Sequence, residues 1–181
     1  MCRSASCWNC NSAFTSRGGE RRVTALAIGV LCADDDTAEV AGNNGRMPLS
    51  ARLVRRKSRI AGSGVFATRP IEKRASIVEY KGALVSFAEG LRREERYARR
   101  GRLWTFVVSK RWIRDAAVGG NIARYINHAC YPNCYVAVVG RSIWIRAARR
   151  IRAGEELTYD YNSDGFCGIR CQCRKGCRRV L

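Results

Sequence analysis

The chain has 181 residues, of which 46% are hydrophobic, so it has room for one domain with a buried core. Its net charge of +19 belongs entirely to the second part: residues 1–50 hold five basic and five acidic side chains, which leaves 29 of the 34 basic and 10 of the 15 acidic residues to positions 51–181. This excess predicts attraction to nucleic acid or to acidic protein, unless it only keeps the chain soluble, and no apolar run is long enough to span a membrane.

Residues 1–52 are expected to form a poorly ordered extension and linker. Arg21 and Arg22, with the apolar run that follows them, resemble a signal peptide. The run is short and lacks a good cleavage site, so export is the lesser alternative. Residues 34–48 are acidic and then rich in glycine and asparagine, which is typical of a linker, and Met47 within them is a candidate start of the chain.

From residue 53 the sequence predicts a mostly β domain with a few short helices. A helix is predicted over 87–100, with Gly101 as its C-terminal stop. The runs that read as strands are 64–67, 76–80, 103–108, 135–139, 142–147 and 156–159. Because no helices alternate with these strands, a doubly wound parallel sheet is excluded.

Two segments of this domain carry residues suited to binding. Residues 62–66 place two glycines before a strand, where the backbone can approach a ligand closely, although such a pair is more often a turn. Residues 119–134 contain the only histidine, His128, directly after Asn127. Short polar side chains at this point can bond the local backbone or face a ligand, and a histidine beside cysteines can also hold a metal.

Near the C-terminus, Tyr159 ends a predicted strand and Tyr161 lies two residues further on, so period-two geometry puts both rings on the same face. Two phenols on one wall can line an amine pocket through cation–π contact and hydrogen bonding, although packing is the commoner role of tyrosine in a strand.

The ten cysteines fall into two groups, four within the first 32 residues and six between 130 and 177. The close spacing of Cys171, Cys173 and Cys177 favours thiolate ligation of a metal, because near neighbours rarely form good disulfides. We therefore expect reduced thiols and a cytoplasmic protein, with a nuclear, chromatin-associated location as an alternative.

Together these segments resemble the SET-domain protein-lysine methyltransferases. The matching stretches follow the family's order and are residues 62–67, 79–82, 120–134, 154–162 and 171–181. The resemblance implies a SET-domain fold of the β-clip type with a knot-like crossing over 53–162. It also implies a post-SET zinc-binding tail over 163–181.

The resemblance assigns roles to single residues. Tyr161 would be the catalytic tyrosine, and Tyr159 would limit the product to mono- or dimethyllysine, because its hydroxyl takes space and can retain a water. Trp104 and Phe106 would line the substrate channel, with tryptophan replacing a tyrosine of the family. The residues that would bind S-adenosylmethionine are Gly62, Ser63, Gly64, Val65, Phe66, Arg124, Asn127 and His128.

In the tail, the resemblance implies a tetrahedral zinc (Zn2+) site with four thiolate ligands. Cys134 would be the fourth ligand beside the three tail cysteines Cys171, Cys173 and Cys177, and Cys130 and Cys167 are the alternatives.

We therefore expect a monomeric enzyme that methylates a lysine of a protein substrate, a histone or another basic protein. The alternative is a catalytically inactive SET-like zinc module that binds nucleic acid or an acidic protein surface. The basic side chains in and after the predicted helix suggest a face for nucleic acid or a nucleosome, and they are Arg92, Arg93, Arg96, Arg99, Arg100 and Arg102.

Overall fold

The computed structural model describes residues 52–163 and 168–181. The predictions for residues 1–51, and Cys167 as a metal ligand, lie outside the described residues. Within the described part, no helix is long and apolar enough to cross a membrane.

The described residues form ten strands, one α-helix and one short 3₁₀ helix. The strands are β1 Leu53–Lys57, β2 Ser63–Ala67, β3 Ser76–Glu79, β4 Ala83–Ser86, β5 Thr105–Val107, β6 Trp112–Asp115, β7 Asn127–His128, β8 Cys134–Val139, β9 Ser142–Ala147 and β10 Glu156–Tyr159. The helix α1 is Phe87–Ala98, and the 3₁₀ helix is Ile122–Tyr125. The mostly β fold is confirmed.

Each of the six predicted strands is present within about two residues of its expected bounds. The strand β7, which has only two residues, was not predicted, and neither were β1, β4 and β6. They carry charged or mixed side chains that hide the alternation of apolar and polar residues, as in β1, where residues 55–57 are basic and exposed.

Helix α1 begins where Ser86 caps it, since the Glu89 N–H donates to the Ser86 hydroxyl over 3.4 Å. It ends at Ala98, and Gly101 follows in the left-handed region with φ of +65°. The predicted stop at Gly101 is thus close to the observed helix end.

The ten strands are arranged in three small sheets. Strands β3, β9 and β8 form one antiparallel sheet, and β4, β6 and β5 form another. The third sheet has the order β1-β2-β10-β7, so the last strand of the chain lies between an early strand and a central one. Such long-range pairing brings the segments of the candidate site together.

The core between these sheets is mainly aliphatic. Its buried members include Val65 of β2, Phe106 of β5, Ile145 of β9 and Leu157 of β10. Every sheet contributes to it, so the three sheets pack around one core and fix one another's positions.

Candidate functional site

The site is built around strand β10. Leu157 of β10 pairs antiparallel with Val65 of β2, and Tyr159 pairs parallel with His128 of β7. Beyond the strand, the Tyr161 N–H donates to Nδ1 of His128 over 3.1 Å. The glycine segment, the Asn127–His128 pair and the two tyrosines are therefore neighbours, which is the arrangement that the family resemblance implies.

Asn127 fastens the loop that leads into β2. Its Nδ2 donates to the carbonyl oxygens of Ala61 and Ser63 over 3.4 and 3.1 Å and to the Glu156 carboxylate over 2.8 Å. The amide nitrogen of Asn127 therefore donates its hydrogen bonds to other groups of the protein. Asn127 serves the predicted cofactor segment by fixing the peptide groups of residues 61–63.

Gly64 is required by the close approach of Glu156. A Cβ at Gly64 would lie 2.1 Å from Glu156 Oε1 and 3.1 Å from the Cβ of Ser58. The Ser58 hydroxyl donates to both carboxylate oxygens over 2.8 and 2.9 Å. Gly62 differs, because its φ is +44° and open space surrounds the position of a Cβ, which leaves its backbone accessible to a ligand.

The two tyrosines form one wall of a narrow cavity. Their ring centroids are 4.8 Å apart, and the ring of Phe106 stacks on that of Tyr159 at 5.6 Å. All three line a cavity of about 20 Å³, which has room for about one water-sized group. The predictions that placed these three side chains along one channel agree with this geometry.

Tyr159 is buried and Tyr161 is partly buried, and both phenols are neutral. Burial, followed by the charge of Glu156, raises the pKa of Tyr161 above its ordinary value, and burial with the neighbouring Tyr161 and Tyr80 raises that of Tyr159. The Tyr161 hydroxyl donates to the Ile126 carbonyl over 2.9 Å, so its oxygen lone pairs remain able to accept a hydrogen bond.

His128 is a buried, neutral imidazole that links two parts of the site. Burial lowers its pKa, although the nearby Asp160 carboxylate acts in the opposite direction. Because Nδ1 accepts from Tyr161, the ring proton is on Nε2, which lies 3.5 Å from Sγ of Cys130. The imidazole therefore joins the backbone of the catalytic tyrosine candidate to a cysteine.

Cys130 belongs to a cluster with the three tail cysteines Cys171, Cys173 and Cys177. All four sulfur atoms lie within 4.8 Å of one another, and Cys130 Sγ is 3.9 Å from that of Cys171 and 3.7 Å from that of Cys177. Tetrahedral zinc with bonds of about 2.3 Å separates its thiolates by about 3.8 Å. The four residues thus fit a closed structural zinc site.

The structure corrects the predicted fourth ligand. Cys134 lies in β8 paired with Ala147, and its thiol donates to Oδ1 of Asn133 over 3.4 Å. Burial raises the pKa of Cys134 to about 12, so it remains a thiol, whereas a hydrogen bond from the Arg179 backbone helps to lower that of Cys177 to about 7. Cys130 replaces Cys134 in the set.

Two other predicted residues lie outside the cavity. Trp104 packs against Tyr97 at 5.9 Å and under the guanidinium groups of Arg102 and Arg124, and it does not line the cavity. Arg124 donates to the Ala116 carbonyl over 3.1 Å and to its neighbour's phenol. Trp104 is therefore removed from the predicted channel, and these contacts give no support to Arg124 as a cofactor ligand.

Sequence reasoning missed two carboxylates at this site. Glu156 holds Ser58 and Asn127, and Glu94 of α1 lines the cavity while being only 5% exposed. Glu156 lies in the motif already singled out, so its position was a usable signal. Glu94 lies among charged helix residues, and nothing in the sequence distinguishes it from them.

The chain is similar to a known domain family and to several curated proteins. A sequence profile described as the SET domain matches residues 62–162, more than half of the chain. Human histone-lysine N-methyltransferase 2D is 41% identical over 134 residues, 69% of this chain and 2% of that protein. Arabidopsis thaliana histone-lysine N-methyltransferase ATXR7 is 33% identical over 159 residues, 84% of this chain and 11% of that protein. The chain thus spans a small part of the relatives' length.

Solved structures resemble the chain in both fold and sequence. The structure of ctPRC2 in complex with H3K27me3 and H3K27M has a TM-score of 0.57 at 35% identity, over 62% of this chain and 14% of that chain. A humanized mutant of the Chaetomium thermophilum Polycomb Repressive Complex 2 has a TM-score of 0.52 at 37% identity, over 63% of this chain and 15% of that chain.

Proposed function

The chain belongs to the SET-domain family, and from this premise we propose that it transfers a methyl group from S-adenosylmethionine to the side-chain amine of a protein lysine. The observation that carries the proposal is the narrow cavity between Phe106, Tyr159 and Tyr161. This cavity is built on the strand that pairs with both the glycine segment and the Asn127–His128 pair.

The residues of the cavity suit an amine nucleophile. A lysine ammonium has an ordinary pKa of about 10.4, so exposing its lone pair near neutral pH costs about 4–5 kcal/mol. Aromatic walls that exclude water lower this cost by disfavouring the charged form. They also align the amine, and such positioning accounts for a large part of the rate gain in a displacement.

Tyr161 would orient the amine rather than deprotonate it. Its raised pKa keeps the phenol protonated, and its proton is donated to the Ile126 carbonyl. The oxygen can then accept a hydrogen bond from an amine N–H, which directs the nitrogen lone pair along the cavity.

The residues beside the cavity would hold the cofactor, which supplies an activated methyl group on a sulfonium when bound. The open backbone at Gly62 and the peptide groups fixed by Asn127 provide rigid polar contacts for it. The aromatic faces of Tyr159 and Tyr161 favour a positively charged sulfonium. His128 would position the Tyr161 backbone.

The zinc site would hold the tail against this region. Four thiolates from Cys130 and the tail would tie β7's end to the C-terminal residues. The Arg179 guanidinium adds an ion pair of 3.0 Å to Asp160, which directly precedes Tyr161. The tail would therefore shape one entrance of the cavity.

The degree of methylation is the finer part of the proposal. Tyr159 carries a hydroxyl into a cavity with little spare volume, so we expect the enzyme to stop at mono- or dimethyllysine. Tyr159→Phe should shift the product toward higher methylation, as read by mass spectrometry. An unchanged product distribution would remove Tyr159 from this role.

A histone is the substrate that the relatives support best, because several are named histone-lysine N-methyltransferases. The prediction of a cytoplasmic location is wrong for the same reason. Histones are proteins of chromatin, and one similar solved structure is that of ctPRC2 in complex with H3K27me3 and H3K27M. We therefore propose a nuclear location.

Contact with nucleic acid or a nucleosome is also proposed, from the basic surface. Some of the arginines of this surface already form ion pairs within the protein. In α1, Arg92 and Arg93 pair with Glu89, and Arg99, directly after the helix, pairs with Glu95. The remaining excess positive charge should still make any binding to DNA weaken steeply as salt rises. Affinity that stays flat across a salt series would exclude the contact.

The proposed activity is tested by transfer of labelled methyl groups from S-adenosylmethionine to recombinant core histones. Tyr161→Phe should abolish transfer while leaving cofactor affinity, measured by calorimetry, close to that of the unmodified chain. Loss of cofactor binding together with activity would argue against a catalytic role for Tyr161. A chain that binds DNA but transfers no methyl group would favour the inactive zinc module.

A further inference from the structure

The cavity contains a polar group of side chains that the methyl transfer described above does not use. Besides its aromatic and aliphatic walls, the cavity is lined by Glu94, Thr105 and Ser163. Glu94 is 5% exposed and Ser163 6%. The hydroxyl oxygens of Thr105 and Ser163 are buried and lack a hydrogen-bond partner in the described parts of the chain. Unsatisfied buried hydroxyls are uncommon in folded proteins, and a ligand is one explanation for retaining them.

The packing of α1 directs Glu94 toward this cavity. Gly90 lies one turn before Glu94 on the same helix face, and it fits flush against β6, because a Cβ there would lie 2.5 Å from that of Ile113. Ile113 also lines the cavity.

A second set of contacts fixes the rotation of the helix. Arg93 and Tyr97 each reach Oδ2 of Asp115 over 3.0 Å, and Asp115 is fully buried in β6. One face of α1 packs on Ile113 and the adjoining face is hydrogen-bonded to Asp115. These contacts fix the rotation of the helix, and they therefore fix the position of Glu94 in the cavity wall.

We propose that Glu94, Thr105 and Ser163 form the binding site for the charged ε-ammonium group of the target lysine, which the enzyme thereby selects by charge. This inference rests on the proposed function and names the residues that recognise its substrate. An ammonium offers three N–H donors, and a carboxylate with two hydroxyl oxygens offers acceptors for all of them. Charge-assisted hydrogen bonds are strong, and they are stronger still where water is excluded.

The three polar side chains and the phenols of the cavity have different roles. Glu94 with the two hydroxyls binds the cation as it arrives from water. Because the cavity holds only about one such group at a time, the neutral amine then takes the place beside Tyr161 for transfer. A side chain of equal length without charge gains nothing from Glu94. Affinity for the charged side chain, rather than the rate of the bound complex, is what the polar group supplies.

The test compares Glu94→Gln with the matched control Glu95→Gln. Glu95 is the adjacent helix residue, exposed and paired with Arg99 over 2.7 Å. The probes are a peptide containing the lysine that mass spectrometry maps as methylated on recombinant histone, and the same peptide with norleucine in place of that lysine. Binding of both is measured by calorimetry, and kcat and KM are measured with the lysine peptide.

Glu94→Gln should weaken binding of the lysine peptide by about tenfold or more and leave binding of the norleucine peptide unchanged. KM should rise more than kcat falls, and Glu95→Gln should match the unmodified chain with both peptides. Thr105→Val and Ser163→Ala should each weaken only the lysine peptide, by about two- to tenfold. If Glu94→Gln does not fold, as judged by circular dichroism, the binding of the two peptides to Thr105→Val and Ser163→Ala tests the inference instead.

Equal losses with both peptides, or no loss in the folded variants, would overturn this inference and leave the proposed function in place. Absence of methyl transfer by the unmodified chain would instead overturn the proposed function, and the inference with it.

Discussion

Substitution of Gly64 by alanine tests how closely the cofactor segment is packed. The added Cβ would lie 2.1 Å from Oε1 and 2.7 Å from Cδ of Glu156, so the carboxylate has to move. It would then lose hydrogen bonds from Ser58 and Asn127 that are 2.8 Å long. Each such bond to a charged group contributes about 1.5–3 kcal/mol, which gives an expected destabilisation of about 3–5 kcal/mol.

The assay is urea unfolding, with the midpoint compared at constant m-value. Gly140→Ala is the control, because φ at Gly140 is +58° but open space surrounds its Cβ position, so only backbone strain of about 1 kcal/mol is expected. S-adenosylmethionine affinity should also fall in Gly64→Ala, since the displaced Glu156 no longer fixes Asn127 beside the loop.

A double substitution checks the cause. In a Glu156→Ala background the clash with the carboxylate is gone and only the tight contact with Ser58 remains, so Gly64→Ala should then cost much less than in the unmodified chain. If the two effects simply add, or if Gly64→Ala destabilises no more than Gly140→Ala, the packing argument is refuted.

Three further predictions concern the metal, the helix and the acid range. The unmodified chain should bind about one zinc, Cys130→Ser should lose it and Cys134→Ser should keep it, as read by elemental analysis; the reverse pattern would restore Cys134 as ligand. Asp115→Asn should lower the free energy of unfolding by about 2–3 kcal/mol, while the exposed Glu95→Gln leaves it nearly unchanged; similar values for both would contradict the role of the buried carboxylate. Burial alone would raise the pKa of Glu155, but hydrogen bonds, led by that of Arg149, lower this pKa to about 2. The stability that Glu155 adds above pH 4.5 is therefore lost as the pH falls toward 2. Glu155→Gln should flatten the dependence of the unfolding free energy on pH in this range, and an unchanged slope would contradict the role of Glu155.

The motifs that define the site were predictable because they are local. Glycines before a strand, a histidine after asparagine and tyrosines two apart each have a meaning within a few residues. Strand β10, which carries Tyr159, has its predicted bounds because its residue types alternate between polar and apolar. The family resemblance then supplied the long-range crossing that places these pieces together.

The choice between Cys130 and Cys134 was not local. The two cysteines are four residues apart, and the outcome depends on β8 beginning at Cys134, which buries that thiol against β9. The prediction that Trp104 lines the channel was wrong for a similar reason. Its ring contacts the guanidinium groups of Arg102 and Arg124, which lie outside the channel. Glu94 was missed because the packing that buries it, at Gly90, appears only when α1 meets β6.

The central claim is that one narrow cavity presents a lysine side chain to a methyl donor. Mass-spectrometric mapping of recombinant histones, after incubation with the purified chain and S-adenosylmethionine, tests it most directly. The account predicts methyl groups on the ε-nitrogen of lysine and none with Tyr161→Phe. Methyl groups on other residue types, none at all, or undiminished transfer by Tyr161→Phe would contradict it.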